Sequence, residues 1–201
     1  MSNEPKVYVV DDDPAMRDSL RWLLESVDFQ VHVFDSATAF LDGYDAARPS
    51  CLVLDVRMPG MSGLDLQDEL VRRGVSIPMI MISAHGDVPV AVRALKSGAI
   101  DFIEKPFSDQ LLLDRVRQAL QRDERATQVD EVKAKIQERL DSLTPREREV
   151  LDLVVAGRPN RAIAAHLNLS QKTIEIHRAR VMSKMGSGSL AELVRDVLMS
   201  K

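Results

Sequence analysis

Residues 7–25 read VYVVDDDPAMRDSLRWLLE, a short apolar run followed by three acids and an amphipathic stretch. The run at 7–10 is rich in β-branched residues, which predicts a strand. Pro14 suits the first turn of a helix, and the side chain of Asp13 can cap that helix. The stretch therefore predicts a strand, a turn that carries carboxylates, and a helix.

The same alternation recurs as far as residue 122. Further strand-like runs lie at 31–34, 51–54, 77–82 and 100–103, and helical patterns lie at about 14–26, 36–42, 64–73, 88–97 and 108–122. Alternation of this kind implies βαβ crossovers, so we expect an α/β fold with a doubly wound parallel sheet covered by helices on both faces. In such a sheet, ligands bind at the carboxyl ends of the strands.

Composition narrows the class of protein. The chain has 201 residues, 45% of them hydrophobic, which suits one or two globular domains. Its single cysteine, Cys51, cannot form an intrachain disulfide, and no charged-then-apolar leader opens the chain. The longest apolar run, 77–82, is interrupted by Pro78 and is far shorter than the roughly 20 residues that span a bilayer. We therefore expect a cytoplasmic protein with no membrane partner.

Residues 122–143 form a charged segment with an apolar stripe. Its apolar residues are spaced by three or four positions, which predicts a helix: Val129, Val132, Ile136, Leu140 and Leu143. A linker helix is the favoured interpretation. A helix that packs on its own domain also fits, and a coiled-coil contact between two copies is a minority alternative.

The last part of the chain predicts a helical domain. Thr144 to Glu147 form a capping box with Pro145 at the first helical position, which starts a helix that ends near Gly157. Further helices are expected at about 160–167, from a cap at Ser170 to about 185, and at 190–199. Two helices joined by the short turn at 168–169 are typical of a helix-turn-helix within an all-α four-helix domain.

The net charge of −4 hides an asymmetry along the chain. Residues 1–125 contain 14 basic and 21 acidic side chains, whereas residues 126–201 contain 13 and 10. Within 158–184, six basic residues accompany only one acid, Glu175; the six are Arg158, Arg161, Lys172, Arg178, Arg180 and Lys184. Such a cluster suits DNA, because neutralised phosphates release counterions. On charge alone, a solvated helix face is the favoured interpretation.

Acidic residues follow the first and third predicted strands. The carboxyl ends of parallel strands lie at one edge, so Asp11, Asp12 and Asp55 should converge there. Three close carboxylates repel one another and invite a hard cation such as Mg²⁺. Lys105, after the fifth strand, adds an ammonium at the same edge. A carboxylate that attacks a phosphoryl group whose charge these cations neutralise is the simplest chemistry, and it predicts an aspartyl-phosphate site.

Other residues near this edge are ambiguous when they are taken singly. Asp13 is better explained as a helix cap, and Lys105 alone would be a surface residue. The hydroxyl of Ser83, at the end of the fourth strand, could bond a phosphoryl oxygen. Phe102, on the fifth strand, is explained equally well by core packing.

These residues, in this order, resemble the response-regulator receiver domain. Together with the C-terminal part, the chain is similar to the FixJ/NarL family of transcription factors with LuxR-type helix-turn-helix domains. The segments that carry the resemblance are VVDDDPAMRDSL, LVLDVRMPGMSGLDL, SAHGDVPVAV, GAIDFIEKPF, LTPREREVLDLVVAG, PNRAIAAHLNLSQKTIEIHRARVMSKM and SLAELVR. They cover nearly the whole chain.

The resemblance implies three segments: a flavodoxin-like receiver with strand order 2-1-3-4-5 over 1–122, a helical linker over 123–142, and the helix-turn-helix domain over 143–201. It implies that Asp55 accepts a phosphoryl group from a sensor histidine kinase. The implied Mg²⁺ ligands are Asp11, Asp12, Asp55 and the backbone carbonyl of Arg57, with Asp11 acting largely through water. The implied phosphoryl-contact and switch residues are Ser83, Lys105 and Phe102.

The family also implies a cis Lys105–Pro106 bond. A phenylalanine at position 102, where many relatives have tyrosine, removes any mechanism that needs a switch hydroxyl. Implied partners are a double-stranded DNA operator, RNA polymerase and a second copy, bound through about 88–102 after phosphorylation. Activation of transcription is expected, and the only catalysis expected is the receiver's own phosphorylation and dephosphorylation. We also hypothesise that Arg57 and His85 tune the lifetime of the acyl phosphate.

The helix expected at about 170–185 should turn one face inward and one toward the DNA major groove. The inward residues are Ile174, Val181 and Met185, with His177 beside them. The outward residues are Lys172, Glu175, Ile176, Ala179 and Arg180. Glu175, Ile176 and Ala179 are candidates for reading bases, whereas Lys172, Thr173, Arg178, Arg180 and Lys184 are candidates for phosphate contacts.

Two other classes of protein remain as alternatives. A phosphatase-like hydrolase could share the fold and the aspartyl-phosphate, but it would need a second acid/base system and a substrate pocket, and the sequence offers neither a nucleophile motif nor room for a cap domain. A signalling adaptor could use its C-terminal helices to bind protein, but the basic stretch at 158–184 argues against this.

Overall fold

The computed structural model describes residues 5–84 and 88–200. These residues form two compact units, which divide between Thr127 and Gln128. Within the described residues, no helix is both long and apolar enough to cross a bilayer.

The first unit contains a five-stranded parallel sheet, as the alternating pattern predicted, and its order β2-β1-β3-β4-β5 is the one that the family resemblance implied. The strands are β1 Lys6–Val10, β2 Gln30–Phe34, β3 Ser50–Asp55, β4 Met79–Ser83 and β5 Asp101–Glu104. The strand expected at 77–82 begins two residues later, because Pro78 has no N–H to donate to the sheet.

Helices cover both faces of this sheet. They are α1 Pro14–Glu25, α2 Ala37–Gly43, α3 Gly63–Arg72, α4 Val88–Lys96 and α5 Asp109–Asp141. Alternate strand residues enter different cores: Leu52 and Leu54 pack with α2, α3 and α4, whereas Cys51 and Val53 pack with α1 and α5. The central strands β3 and β4 are buried along their whole length, as a sheet covered on both faces requires.

Helix α5 does not end near residue 122, where the sequence pattern suggested a boundary. It continues to Asp141, and no glycine or proline interrupts it. Its first turns place Leu112 and Val116 in the core of the first unit, and its last turns place Ile136 and Leu140 in the core of the second. The expected apolar stripe is thus only partly buried, since Val129 and Val132 are exposed.

The second unit adds four helices to the end of α5. They are α6 Pro145–Val155, α7 Asn160–Leu167, α8 Gln171–Met185 and α9 Leu190–Met199. Thr144 and Glu147 form the expected capping box at the start of α6, and Ser170 caps α8. The turn between α7 and α8 passes through Asn168 in the left-handed conformation, with φ +53°. This confirms the expected helix-turn-helix.

Candidate functional site

The register of the sheet sets two acidic residues side by side. Val10 pairs with Leu54, so Asp11 and Asp55 follow at the same level of neighbouring strands. Both carboxylates are nearly buried, with 2% of Asp11 and 7% of Asp55 exposed. Lys105 Nζ lies between them, 2.8 Å from Asp11 Oδ2 and 2.6 Å from Asp55 Oδ1. The structure therefore brings together Asp11, Asp55 and Lys105, three of the residues predicted from the sequence.

Backbone groups hold this constellation in place. The N–H of Arg57 donates to Asp55 Oδ2 at 2.7 Å, and the N–H of Asp13 donates to Asp11 Oδ1 at 2.9 Å. The N–H of Lys105 donates to the carbonyl of Ser83 at 2.8 Å, which fixes the end of β5 against β4. The Lys105–Pro106 bond is cis, as the family resemblance implied. Main-chain hydrogen bonds at the strand ends thus hold the edge of the sheet that carries Asp11, Asp55 and Lys105.

Electrostatics couple the lysine to the two acids. Burial raises the pKa of Asp55 above its ordinary value, and the hydrogen bond from Lys105 only partly offsets this. Burial alone would lower the pKa of Lys105, but its hydrogen bonds to Asp11 and Asp55, together with their negative charges, raise the pKa above its ordinary value. Lys105 therefore keeps its positive charge at neutral pH and compensates the buried carboxylates.

The third expected carboxylate, that of Asp12, differs from the other two in its exposure. Asp12 is exposed in the turn after β1, where the chain leaves the sheet. Within residues 5–84 and 88–200, no three or more His, Cys, Asp and Glu side chains lie together as a metal site. Asp11 and Asp55 nevertheless offer buried carboxylate oxygens, the ligand type that Mg²⁺ prefers. The donor chemistry fits the ion, and the ligand assignment stays a prediction.

Three further predicted residues lie around this edge. Ser83 is buried at the end of β4, and Phe102 on β5 is half-buried against the core that contains Met81. Arg57 is exposed in the loop after β3. His85 lies outside the described residues. The positions suit the roles proposed for Ser83 and Arg57, and Phe102 combines core packing with partial exposure.

Asp13 has the capping role that its position suggested. Its Oδ1 accepts the N–H of Ala15 at 2.9 Å, and Pro14 occupies the first turn of α1. Its side chain is therefore used by the helix, as expected.

Helix α8 carries the expected exposed face. Ile174, Val181 and Met185 are buried in the core of the second unit. The five residues expected to face outward are all exposed: Lys172, Glu175, Ile176, Ala179 and Arg180. Ile176, whose side chain is 48% accessible, adds an apolar group to this otherwise polar face. The face combines charged and apolar groups in the mixture that a major groove can contact.

The other expected phosphate contacts have partners within the protein. Thr173 Oγ1 lies 2.8 Å from the Ser170 hydroxyl at the start of α8. Arg178 Nη1 donates to Asn160 Oδ1 at 2.6 Å, which ties α8 to the start of α7. Their side chains are half-buried, so they differ from the exposed residues of the outward face.

Lys184 also has an intramolecular role. Its ammonium lies 2.7 Å from Glu147 Oε2 and 3.0 Å from the carbonyl oxygen of Ser142. The hydrogen bond from Lys184, with that from the Thr144 N–H, lowers the pKa of Glu147 to about 2. A lysine from α8 therefore binds the glutamate of the α6 capping box.

Sequence reasoning overlooked two charged residues on α5. Asp123 is 1% exposed and forms a two-pronged hydrogen bond with Arg48, while the N–H of Ser50 donates to it at 2.8 Å. Arg139 Nη1 donates to the carbonyl of Met185 at 2.8 Å. Both residues lie in a segment rich in charges, so neither spacing nor composition singles them out.

Comparisons with known proteins agree with this geometry. Residues 7–117 match the family described as response regulator receiver domain, and residues 141–197 match the luxR family of bacterial regulatory proteins. The chain is 45% identical to transcriptional regulatory protein FixJ of Bradyrhizobium diazoefficiens, over 97% of this chain and 95% of that protein. It is 46% identical to nodulation protein W of the same organism, over 96% of this chain and 86% of that protein.

Solved structures give the same result. The response regulator StyR superposes with a TM-score of 0.89 at 45% identity, over 97% of this chain and 98% of that chain. Full-length FixJ from B. japonicum gives a TM-score of 0.60 at 45% identity, over 97% of this chain and 96% of that chain. These matches argue against the hydrolase and adaptor alternatives. The chain belongs to the FixJ-like two-component response regulators, transcription factors that join a receiver domain to a LuxR-type helix-turn-helix DNA-binding domain.

Proposed function

We propose that a sensor histidine kinase switches this regulator by phosphorylating Asp55. The observation that carries the proposal is Lys105 Nζ between the Asp11 and Asp55 carboxylates, at 2.8 and 2.6 Å. The arrangement places the Lys105 ammonium beside Asp55, the buried candidate nucleophile, at the carboxyl ends of the strands. In the transfer, an oxygen of Asp55 forms a bond to phosphorus, and the P–N bond of the kinase phosphohistidine breaks.

The neighbouring residues have proposed roles in this transfer. Lys105 and Ser83 would contact the phosphoryl oxygens. The burial of the Phe102 ring would change when Asp55 is phosphorylated. Receiver domains generally bind Mg²⁺ at this acidic site. Here Asp11, Asp12, Asp55 and the carbonyl of Arg57 would hold the ion, which would neutralise charge on the phosphoryl group. The protein's catalysis would be confined to its own phosphorylation and dephosphorylation.

The output would be DNA binding by the C-terminal unit. We assign 1–122 to the receiver, 123–142 to the linker and 143–201 to the DNA-binding domain. The exposed face of α8 would enter the major groove, with Glu175, Ile176 and Ala179 reading bases. Lys172 and Arg180 would contact phosphates. We further propose that the protein acts in the cytoplasm as an activator that cooperates with RNA polymerase.

Exchange of two residues on α8 separates base reading from phosphate contact. Glu175→Gln is expected to change the preferred base pair at one operator position, by about 1–3 kcal/mol, because a carboxylate that accepts from cytosine is lost. Lys172→Gln should weaken binding to all duplexes alike and reduce the salt slope by about 1. The measurement is binding to single-base variants of a selected duplex at several salt concentrations. Equal loss on every duplex with Glu175→Gln would contradict its role as a reader.

Phosphorylation is proposed to promote dimerisation through the face formed by α4 and β5. Val88, Val92 and Leu95 lie on one face of α4 and are 71%, 43% and 46% exposed. An apolar strip of this kind on a helix suits burial against a second copy.

Val92→Asp tests the dimer proposal. Wild type with beryllofluoride and Mg²⁺ is expected to form dimers in analytical ultracentrifugation, whereas Val92→Asp should weaken the dimer at least about tenfold, because it buries a charge. Val71→Asp is the matched control, since Val71 is a 59% exposed apolar residue on α3. Dimers of undiminished strength with Val92→Asp would assign the interface elsewhere.

A further inference from the structure

Basic side chains fasten the C-terminal end of α8 to the end of α5. Arg139, on α5, donates to the carbonyl of Met185, the last residue of α8, at 2.8 Å. In the opposite direction, Lys184 of α8 donates to the carbonyl of Ser142, just after α5, at 3.0 Å. Arg148 of α6 donates to the carbonyl of Leu140 at 3.3 Å. Helices α5 and α8 thus each supply a cation to a carbonyl at the C-terminal end of the other.

Helix ends explain why these contacts matter. The last four carbonyls of an α-helix have no partner within the helix, and the helix dipole favours cations beside them. Arg139 and Lys184 supply such cations reciprocally to α8 and α5. Lys184 is additionally held by Glu147 at 2.7 Å. The two helix ends are therefore capped by each other.

Gly186, the residue that ends α8, leaves room for the contact between Arg139 and the Met185 carbonyl. It ends α8 in the left-handed conformation with φ +67°, which most side chains avoid. A Cβ built at Gly186 would lie 3.3 Å from Cζ and Nη1 of Arg139. Both the backbone and the available space at the end of α8 therefore suit a guanidinium that lies across the glycine.

We propose that Arg139 and Lys184 are positioning residues, which hold the DNA-reading helix α8 in its binding arrangement without contacting DNA. The proposal rests on the proposed function of α8. It gives Lys184 a role different from the phosphate contact expected from sequence, because its ammonium already has two acceptors in the protein. It also makes the end of α5, from Arg139 to Asp141, and the following Ser142 part of the DNA-reading apparatus.

The salt dependence of DNA binding distinguishes positioning from phosphate contact. The variants are Arg139→Gln and Lys184→Gln, with Lys172→Gln on the exposed face as control. Full-length proteins with beryllofluoride and Mg²⁺ are titrated with the duplex that wild type selects from a random pool, at several salt concentrations. Arg139→Gln and Lys184→Gln should bind about tenfold more weakly, because a smaller fraction of α8 is correctly placed, with an unchanged salt slope. Lys172→Gln should reduce the slope by about 1.

Two results would overturn the proposal. A salt slope reduced by about 1 in Lys184→Gln would make Lys184 a phosphate contact. Affinities within about twofold of wild type for both positioning variants would show that the capping contacts do not affect DNA reading.

A measurement without DNA tests the capping role independently of whether the protein binds DNA. Hydrogen exchange of the amides in the last turn of α8 should accelerate in Arg139→Gln, and Arg139→Lys, which keeps a cation, should restore part of the protection. Lys172→Gln should exchange like wild type. Unchanged exchange in Arg139→Gln overturns the capping role even if wild type selects no DNA, whereas faster exchange together with absent DNA selection refutes only the proposed function.

Discussion

Asp55→Asn is expected to abolish uptake of a phosphoryl group by the receiver. The carboxylate is the nucleophile in the proposed transfer, and a neutral amide at the same position cannot attack phosphorus. The amide also has only one acceptor oxygen, so it cannot accept from both the Lys105 ammonium and the Arg57 N–H, which donate to Asp55 at 2.6 and 2.7 Å. The measurement is the intact mass after incubation with acetyl phosphate and Mg²⁺, in which wild type should gain one phosphoryl group.

Asp35→Asn is the matched control for this experiment. Asp35 is an exposed carboxylate just after β2, at the same edge of the sheet, where it accepts a hydrogen bond from Ser36. It should leave uptake at the wild-type level. A phosphoryl group on the Asp55→Asn protein would show that another residue is the acceptor.

Asp123→Ala is expected to cause the largest loss of stability in the first unit. The Asp123 carboxylate is buried, accepts two hydrogen bonds from Arg48, and accepts the N–H of Ser50 at the start of β3. Its removal leaves a guanidinium and a buried N–H without this acceptor, at a cost of about 3 kcal/mol in the free energy of unfolding. The unfolding transition of this unit should fall by about 10 °C in scanning calorimetry.

Asp114→Ala, on the same helix, provides the comparison. Asp114 is exposed. Among residues 5–84 and 88–200, its hydrogen-bond partners are Gln110 and Arg117, each about one turn away on α5. Exposed pairs of this kind contribute little, so its transition should stay within a few degrees of wild type. Equal shifts in the two variants would mean that the buried contacts of Asp123 add nothing.

The arrangement of the sheet could be predicted because its signals are local and periodic. Short apolar runs with turns between them indicated five parallel strands, and the positions of Asp11, Asp55 and Lys105 at strand ends indicated their convergence. In the structure, Val10 pairs with Leu54, so Asp11 and Asp55 follow side by side. This is why the acidic edge followed from sequence and the helix-turn-helix from its caps.

Other features depend on contacts between distant residues. Asp12 looked equivalent to Asp11 in the run of three acids, but the turn after β1 exposes it. Helix α5 continues past residue 122, since no glycine or proline stops it, so no helix end marks the start of the linker. The partners of Lys184 and Asp123 lie 37 and 75 positions away, at Glu147 and Arg48, beyond what spacing along one helix can reveal.

Selection of duplexes from a random-sequence pool tests the central claim most directly. Wild type and Asp55→Asn are compared, each with and without beryllofluoride plus Mg²⁺, and the bound duplexes are sequenced. The proposed switch predicts tight, sequence-selective binding by wild type that requires the phosphate mimic, and no gain from the mimic in Asp55→Asn. Selective binding of equal strength in all four conditions would contradict control of DNA binding through Asp55.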